Sequence, residues 1–112
     1  MFKLLLTTTL LLSSLNLQAA TASYYGSQFH GKKTANGERF NMYAMTCASN
    51  SHKMGTKLKV TNKANNKTIT CRVNDTGGFG KYGRTLDLSK GAFSKIASLK
   101  QGLVKVHIKV LK

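Results

Sequence analysis

The sequence predicts a small all-β protein, built as a closed barrel of short strands with one short helix. Three observations support this: the chain has 112 residues, its clearest segments alternate apolar and polar residues, and glycine-rich loops separate them. The length fits one domain and excludes a multidomain enzyme. Because 41% of the residues are apolar, a disordered polycation is also excluded. Closure of the sheet is expected because it removes exposed strand edges.

Residues 1–19 have the composition of a secretory signal peptide. Lys3 precedes a run of Leu, Ser and Thr, and Leu17-Gln18-Ala19 fits a cleavage site. A transmembrane anchor needs about 20 apolar residues, and this run is shorter and rich in hydroxyl groups. No cysteine directly follows it, which argues against a lipid anchor. We therefore predict a signal peptide over 1–19 and a mature domain over 20–112, soluble, without a membrane anchor, and periplasmic or secreted.

The two cysteines, Cys47 and Cys71, predict a disulfide. Export would place both thiols in an oxidising compartment, where cysteines pair. A catalytic thiol and a metal ligand are the alternatives, but no histidine lies at metal-ligand spacing from either residue. We expect no metal and no other cofactor. Closing a loop of about 25 residues would stabilise this small domain by roughly 3.5 kcal/mol.

Five segments have the pattern of strands. In chain order they are residues 22–25, 57–61, 68–73, 85–88 and 104–110. The last is the clearest, because valines and an isoleucine alternate with lysines and a histidine. A turn-forming stretch separates the second segment from the third and predicts a hairpin. In that hairpin Cys71 shares the apolar face with Ile69 and Val73, where a structural disulfide would lie.

One helix is predicted after the fourth strand, with Ser89 as its N-cap. Its apolar face would carry Phe93, Ile96 and Ala97. Two long loops interrupt the strands: a polar one over residues 26–43 and a glycine-rich one over 75–83. Loops of this length in a small domain are usually functional.

The three acidic residues are the most informative ones. On a chain of net charge +15, the only carboxylates are Glu38 in the first long loop, Asp75 at the start of the second, and Asp87 just after it. Converging carboxyls fit the cleavage of a glycosidic bond, because its leaving oxygen must be protonated. Simpler explanations are a turn at Asp75 and a pairing of Asp87 with Arg72 or Arg84 inside the barrel.

Short motifs follow one another along the predicted mature chain. Among them are Ala22-Ser23-Tyr24-Tyr25-Gly26, Phe29-His30-Gly31, Asn36-Gly37-Glu38-Arg39-Phe40, Arg72-Val73-Asn74-Asp75 and Leu86-Asp87-Leu88-Ser89. In this order they resemble the rare-lipoprotein-A family over residues 21–111. The resemblance implies a six-stranded double-psi β-barrel, the fold of expansins and barwin-like proteins. It also implies an endolytic peptidoglycan lytic transglycosylase that forms 1,6-anhydro-N-acetylmuramic ends, chiefly on peptide-poor glycan strands.

The resemblance places the acid–base candidates at Asp75 and Asp87, with Glu38 as the third polar group. The expected substrate contacts are Tyr25, His30, Ser49, His52, Asn74 and Phe79. The family commonly has a histidine at the position of Ser49, whereas here His52 follows three residues later.

The strongest alternative function is a non-hydrolytic cell-wall glycan-binding module of the expansin type. Tyr24, Tyr25, Phe29, Phe79 and Tyr82 are candidates to stack on sugar rings. Nucleic-acid binding is the general inference from high basicity, but export and the even spread of the basic residues argue against it. We expect a monomer that binds peptidoglycan glycan strands and is attracted to the anionic cell envelope.

Overall fold

The structure, a computed structural model, describes residues 17–77 and 85–112. Its strands are β1 (Gln18–Tyr24), β2 (Thr46–Ala48), β3 (Lys57–Asn62), β4 (Thr68–Asp75), β5 (Leu86–Leu88) and β6 (Val104–Leu111). Helix α1 (Lys90–Ile96) lies between β5 and β6. Two 3₁₀ turns, Ser27–Phe29 and Leu99–Gln101, follow β1 and α1. Within the described ranges, no helix is long and apolar enough to cross a membrane.

The strands form a closed barrel in the order β1-β5-β2-β4-β3-β6. Strands β1 and β5 pair in parallel, as do β2 and β4, whereas the other neighbours are antiparallel. The predicted fold class is therefore confirmed, and the barrel is a double-psi β-barrel. In this circular order, β3 and β6 lie across the barrel from β5 and β2.

The inward residues of the strands and one face of α1 form the core. Ser89 is the N-cap of α1, and its side chain accepts a hydrogen bond from Ala92 N at 3.1 Å, as predicted. Phe93 and Ile96 are fully buried. The helix ends at Ile96, because Ala97 has an extended backbone and is the C-cap rather than a helical residue.

The predicted disulfide is present. Cys47 on β2 is bonded to Cys71 on β4, with their Cα atoms 5.8 Å apart. Both residues are fully buried, and Cys71 lies on the apolar face of β4 with Ile69 and Val73, as expected. The bond therefore cross-links two neighbouring strands inside the core.

Strand β2 is not predicted by the sequence pattern. All three of its residues are buried, and β4 and β5 pair with its two edges. A strand with no solvated face shows no apolar–polar alternation, which explains why periodicity does not detect it.

Strand β1 begins before the predicted cleavage site. Gln18 pairs with Ile108, and Ala19 pairs with His107. Cleavage after Ala19 stays a prediction, and it would shorten this strand by two residues. Residues 1–16 of the predicted leader lie outside the described part of the chain.

Candidate active site

Asp75 and Asp87 line one cleft of about 390 Å³. Asp75 is the last residue of β4 and Asp87 is the central residue of β5. Strand β2 lies between them, and Ala48 is the register partner of both aspartates. A register shift between Cys47 and Ala48 brings Asp75 opposite Ala48. The short strand that the pattern misses therefore positions the two acids.

The Asp87 carboxylate is held from β1. Ser23 is its register partner in the parallel β1–β5 ladder, and Ser23 Oγ donates a 2.7 Å hydrogen bond to Asp87 Oδ1. Ser23 is only 4% exposed, so this donor is shielded from water. Of the alternatives, Arg72 bonds Glu38 instead, and Arg84 lies outside the described residues.

Asp75 is held by two loops. Its Oδ1 accepts hydrogen bonds at 2.9 Å from the backbone N–H groups of Thr76 and Ala35. The first bond is local but is not the predicted Asx turn, because that turn uses the N–H two residues on and Gly77 N donates to Asn50 Oδ1 instead. The second comes from the long 26–43 loop and fixes that loop against the end of β4. Asp75 therefore lines the cleft and connects the 26–43 loop to the end of β4.

Aromatic side chains form one wall of the cleft. The ring of Tyr25 stacks on Phe40, with centroids 4.4 Å apart, and meets Phe29 edge-on at 6.1 Å. Phe29 is 43% exposed and lines the cleft with Tyr25 and Phe40. Burial, with the negative charges of Asp75 and Asp87, raises the pKa of Tyr25 far above its ordinary value. Tyr25 is therefore a neutral phenol at any physiological pH.

Two lysines at the cleft were not assigned a role by the sequence. Lys32 and Lys33 line it, and Lys32 Nζ lies 5.9 Å from the centroid of the Phe29 ring. Thr34, Thr76 and Gly77 complete the lining with Ala48. The only sequence signal for the two lysines is their place in the long polar loop.

The loop that carries these lysines is anchored on helix α1. Gly91 N donates a 2.7 Å hydrogen bond to Met42 O. A Cβ at Gly91 would lie 2.8 Å from Tyr43 O, so glycine is required for this close backbone contact. The helix therefore supports the end of the 26–43 loop.

Glu38 is not among the residues that line the cleft. Both of its carboxylate oxygens bind Arg72, at 2.7 and 3.0 Å, and Asn36 Nδ2 donates to Oε1 at 2.7 Å. These bonds lower the pKa of Glu38 to about 2, with the Arg72 hydrogen bond as the largest cause. The structure thus brings Asp75 and Asp87 together in the cleft and holds Glu38 in an ion pair with Arg72.

Ser49 and His52 form a hydrogen-bonded pair behind Asp75. Ser49 is fully buried, and its Oγ lies 2.9 Å from His52 Nδ1. Ser49 N donates to Asp75 O at 3.0 Å. The imidazole of His52 is thus connected to the Asp75 backbone through Ser49, although neither residue lines the cleft.

Of the other predicted substrate contacts, those within the described residues, His30 and Asn74, do not line the cleft. His30 Nδ1 accepts a 3.2 Å hydrogen bond from Met42 N, so this ring supports the long loop. Asn74 is buried, and its carbonyl accepts from Asn36 N. Tyr24 packs on Phe93 in the core. Phe79 and Tyr82 fall outside the described residues.

No metal centre is formed by residues 17–77 and 85–112, since no three His, Cys, Asp or Glu side chains cluster there.

The topology and the paired aspartates define the class of protein: a double-psi β-barrel with a carboxylate-bearing cleft. The chain belongs to the lytic transglycolase family, whose model matches residues 17–108.

Relatives in several bacteria are similar to this chain. It is 50% identical over 90 residues to an endolytic peptidoglycan transglycosylase RlpA of Campylobacter jejuni, covering 80% of this chain and 32% of that protein. It is 47% identical over 93 residues to the protein of that name in Rickettsia felis. That match covers 80% of this chain and 40% of the relative. The chain therefore spans between about a third and two fifths of the length of these two relatives.

Solved structures show the same fold. A Streptomyces papain inhibitor superposes with a TM-score of 0.68 at 24% identity, covering 86% of this chain and 94% of that chain. An expansin of Clavibacter michiganensis in complex with cellohexaose superposes with a TM-score of 0.68 at 20% identity. The match covers 86% of this chain and 50% of the expansin chain. At these identities the likeness supports the fold alone.

Proposed function

We propose that this domain is an endolytic lytic transglycosylase that cleaves the β-1,4 bond between N-acetylmuramic acid and N-acetylglucosamine in peptidoglycan. The observation that carries the proposal is the register of Ala48 with both Asp75 and Asp87, which places two carboxyl groups in one cleft. Membership of the lytic transglycolase family and the names of the relatives support the same reaction class.

Asp87 is proposed as the general acid and base. Its carboxyl group protonates the glycosidic oxygen as the C1–O bond breaks, which releases the N-acetylglucosamine side with a free hydroxyl. The 6-hydroxyl of the N-acetylmuramic residue then attacks C1 and returns its proton to Asp87. The product is a 1,6-anhydro ring, and no water is consumed. Ser23 fixes the orientation of the Asp87 carboxyl throughout.

Asp75 is proposed to stabilise the positive charge that develops at C1. Two backbone N–H groups donate to its Oδ1 and fix the orientation of its carboxyl group. An oxocarbenium-like transition state requires such a charge nearby. Enzymes that cleave glycosidic bonds commonly use two carboxyl groups in different environments, one to transfer the proton and one to stabilise the positive charge.

The cleft wall supports a glycan strand with few peptides as the substrate. Phe29, Tyr25, Lys32 and Lys33 line the cleft, so a sugar bound there would contact aromatic rings and two cations. A muramic residue that has lost its peptide carries a free lactyl carboxylate, which a lysine can bind. A peptide stem at that position would remove this charge and occupy the same space. His30, Ser49, His52, Asn74 and Phe79 stay proposed contacts of the same substrate.

The setting of the reaction is also proposed. We infer a soluble monomer over residues 20–112, exported by a signal peptide to the periplasm or beyond. Without Lys3 of the leader its net charge is +14, which attracts it to the anionic envelope. The predicted signal peptide and the buried disulfide support this inference.

Product chemistry tests the function. Purified protein is incubated with peptide-free glycan strands and with intact sacculi, and the products are identified by mass spectrometry. We expect 1,6-anhydro-N-acetylmuramic ends, formed faster on the peptide-free strands. Products with water-derived reducing ends would instead show a hydrolase and contradict the proposal.

A glycan-binding module without cleavage is the second candidate. It is favoured by the ion pair that holds Glu38 on Arg72 and by Ser49 at the position where the resemblance has a histidine. Tight co-sedimentation with sacculi and no released products under any condition would establish this alternative.

A further inference from the structure

Strands β3 and β6 carry an exposed basic surface outside the cleft. We define the β3–β6 face by five of the outward residues of these strands, Lys59, Thr61, Lys105, His107 and Lys109. The three lysines are exposed, and the threonine and histidine are half-buried. Lys59, Thr61, His107 and Lys109 line a hollow of about 300 Å³ together with Leu17, a residue that the predicted cleavage after Ala19 would remove.

The positive charge of this face is not balanced by acidic side chains. All three carboxylate side chains of the sequence lie elsewhere: Asp75 and Asp87 line the cleft, and Glu38 binds Arg72. Lys59 and Lys109 are direct partners in the β3–β6 ladder. Like charges opposite one another destabilise a sheet, so this arrangement costs stability that an anionic partner would restore.

The flanking positions add no negative charge. Thr21 on β1 is the register partner of Lys105, and Thr70 on β4 is the partner of Lys59. Beyond the start of β6, Leu103 is 51% exposed and lines a second hollow with Lys63 and Lys105. The surface is therefore cationic along its length, with an exposed aliphatic side chain at one end.

We propose that the β3–β6 face docks on an anionic lipid bilayer. Lys59 and Lys109 lie side by side on neighbouring strands, so their ammonium groups would reach the headgroups together. Lysine stems lie along apolar surface while their ammonium groups contact phosphates, and Leu103 adds an aliphatic contact. Near an anionic bilayer each lysine is worth roughly a fivefold gain in affinity.

Docking by this face would orient the cleft. Strands β3 and β6 lie across the barrel from β5 and β2, and β5 and β2 carry Asp87 and Ala48 of the cleft. A protein bound to a membrane by the β3–β6 face presents its cleft away from the lipid. The docking itself does not depend on the proposed function. The benefit of this orientation does rest on that function, because the cleft would then face the cell wall.

Vesicle co-sedimentation tests the proposal. Protein purified after export is mixed with vesicles of phosphatidylglycerol and phosphatidylcholine, or of phosphatidylcholine alone, at physiological salt. We expect binding to the anionic vesicles only, weakened roughly 30-fold by the Lys59→Gln/Lys109→Gln pair. The Lys59→Arg/Lys109→Arg pair should retain binding. The matched control, Lys95→Gln/Lys100→Gln, removes two exposed lysines outside the face and should bind as the wild type does.

Several results would overturn the proposal. Equal weakening by both glutamine pairs would show that total charge, and not this face, is responsible. Equal binding to both kinds of vesicle would exclude recognition of anionic lipid. Absence of vesicle binding, together with lysine-dependent binding to sacculi, would assign the face to the wall. If the glutamine pair fails to fold, the wild type and the arginine pair still decide whether anionic lipid is bound. Vesicle binding requires no cleavage, so its failure leaves the proposed activity unaffected.

Discussion

Ser23 and Asp87 are direct partners across the parallel β1–β5 ladder, and Ser23 Oγ donates a 2.7 Å hydrogen bond to Asp87 Oδ1. The serine is buried, so its hydroxyl is shielded from water. The cleft carboxyl on β5 is thus oriented by a neighbouring strand. A substitution at Ser23 tests the role of Asp87 without removing the carboxyl itself.

Loss of the Ser23 hydroxyl should slow catalysis more than it weakens binding. Because a hydrogen bond to a charged group is typically worth about 1.5–3 kcal/mol, we expect Ser23→Ala to lower kcat by roughly tenfold to a hundredfold. The KM should stay near the wild-type value. Ser23→Thr keeps the hydroxyl and should retain most activity. Equal kcat values in Ser23→Ala and the wild type would exclude a positioning role.

The ion pair of Glu38 with Arg72 should make stability depend on pH in acid. Since the folded-state pKa of Glu38 is lowered to about 2 from an ordinary value of 4.5, the stabilisation is complete above 4.5 and is lost as the pH falls towards 2. Glu38→Gln should therefore flatten the melting temperature against pH in this window. Asp75 and Asp87 are present in both proteins, so the difference isolates Glu38. Parallel curves for the two proteins would contradict the ion pair.

Reduction of the Cys47–Cys71 bond should lower thermal stability markedly. The two residues are 24 positions apart, and closing such a loop stabilises a fold by roughly 3.5 kcal/mol. For a domain of this size we expect a fall of about 15 °C or more in the melting temperature under reductant. The Cys47→Ala/Cys71→Ala variant is the control, because reductant should not change its melting temperature. An unchanged wild-type melting temperature would show that the bond adds nothing.

Asn50 should maintain the shape of the cleft mouth. Its Oδ1 accepts a 3.0 Å hydrogen bond from Gly77 N, and its Nδ2 donates to Gly77 O. Gly77 lines the cleft, so Asn50→Ala should raise the KM by roughly tenfold. Asn50→Asp keeps the acceptor and should give an intermediate KM. An unchanged KM in Asn50→Ala would show that the Gly77 segment does not contact substrate.

The sequence predicts much of the barrel because most of its strands have one buried and one solvated face. Alternation identifies β3, β4 and β6, and the pattern of Ser89 with Phe93 identifies the helix. Strand β2 leaves no such signal, since Thr46, Cys47 and Ala48 are all buried. Its existence depends on long-range pairing with β4 and β5, which no local pattern encodes.

The same long-range pairing limits what the sequence shows of the site. Asp75 and Asp87 are identified by their rarity on a basic chain and by their position beside loops. That they meet at Ala48 depends on a register shift in β2, which only the folded structure reveals. Glu38 is just as rare, yet Arg72 on β4 binds it outside the cleft lining. The rarity of acidic residues identifies the candidate site residues. The register of the strands decides which of these residues meet in the cleft.

The most direct test of the central claim compares Asp87→Asn with the wild type on peptide-free glycan strands. The amide keeps the shape of the side chain and removes its ability to give and take a proton. We predict that the variant keeps the wild-type melting temperature and still co-sediments with the strands. It should release at least about a hundredfold fewer 1,6-anhydro ends. Anhydro ends formed at the wild-type rate by a folded Asp87→Asn protein would show that the cleft carboxyl on β5 does not carry the reaction.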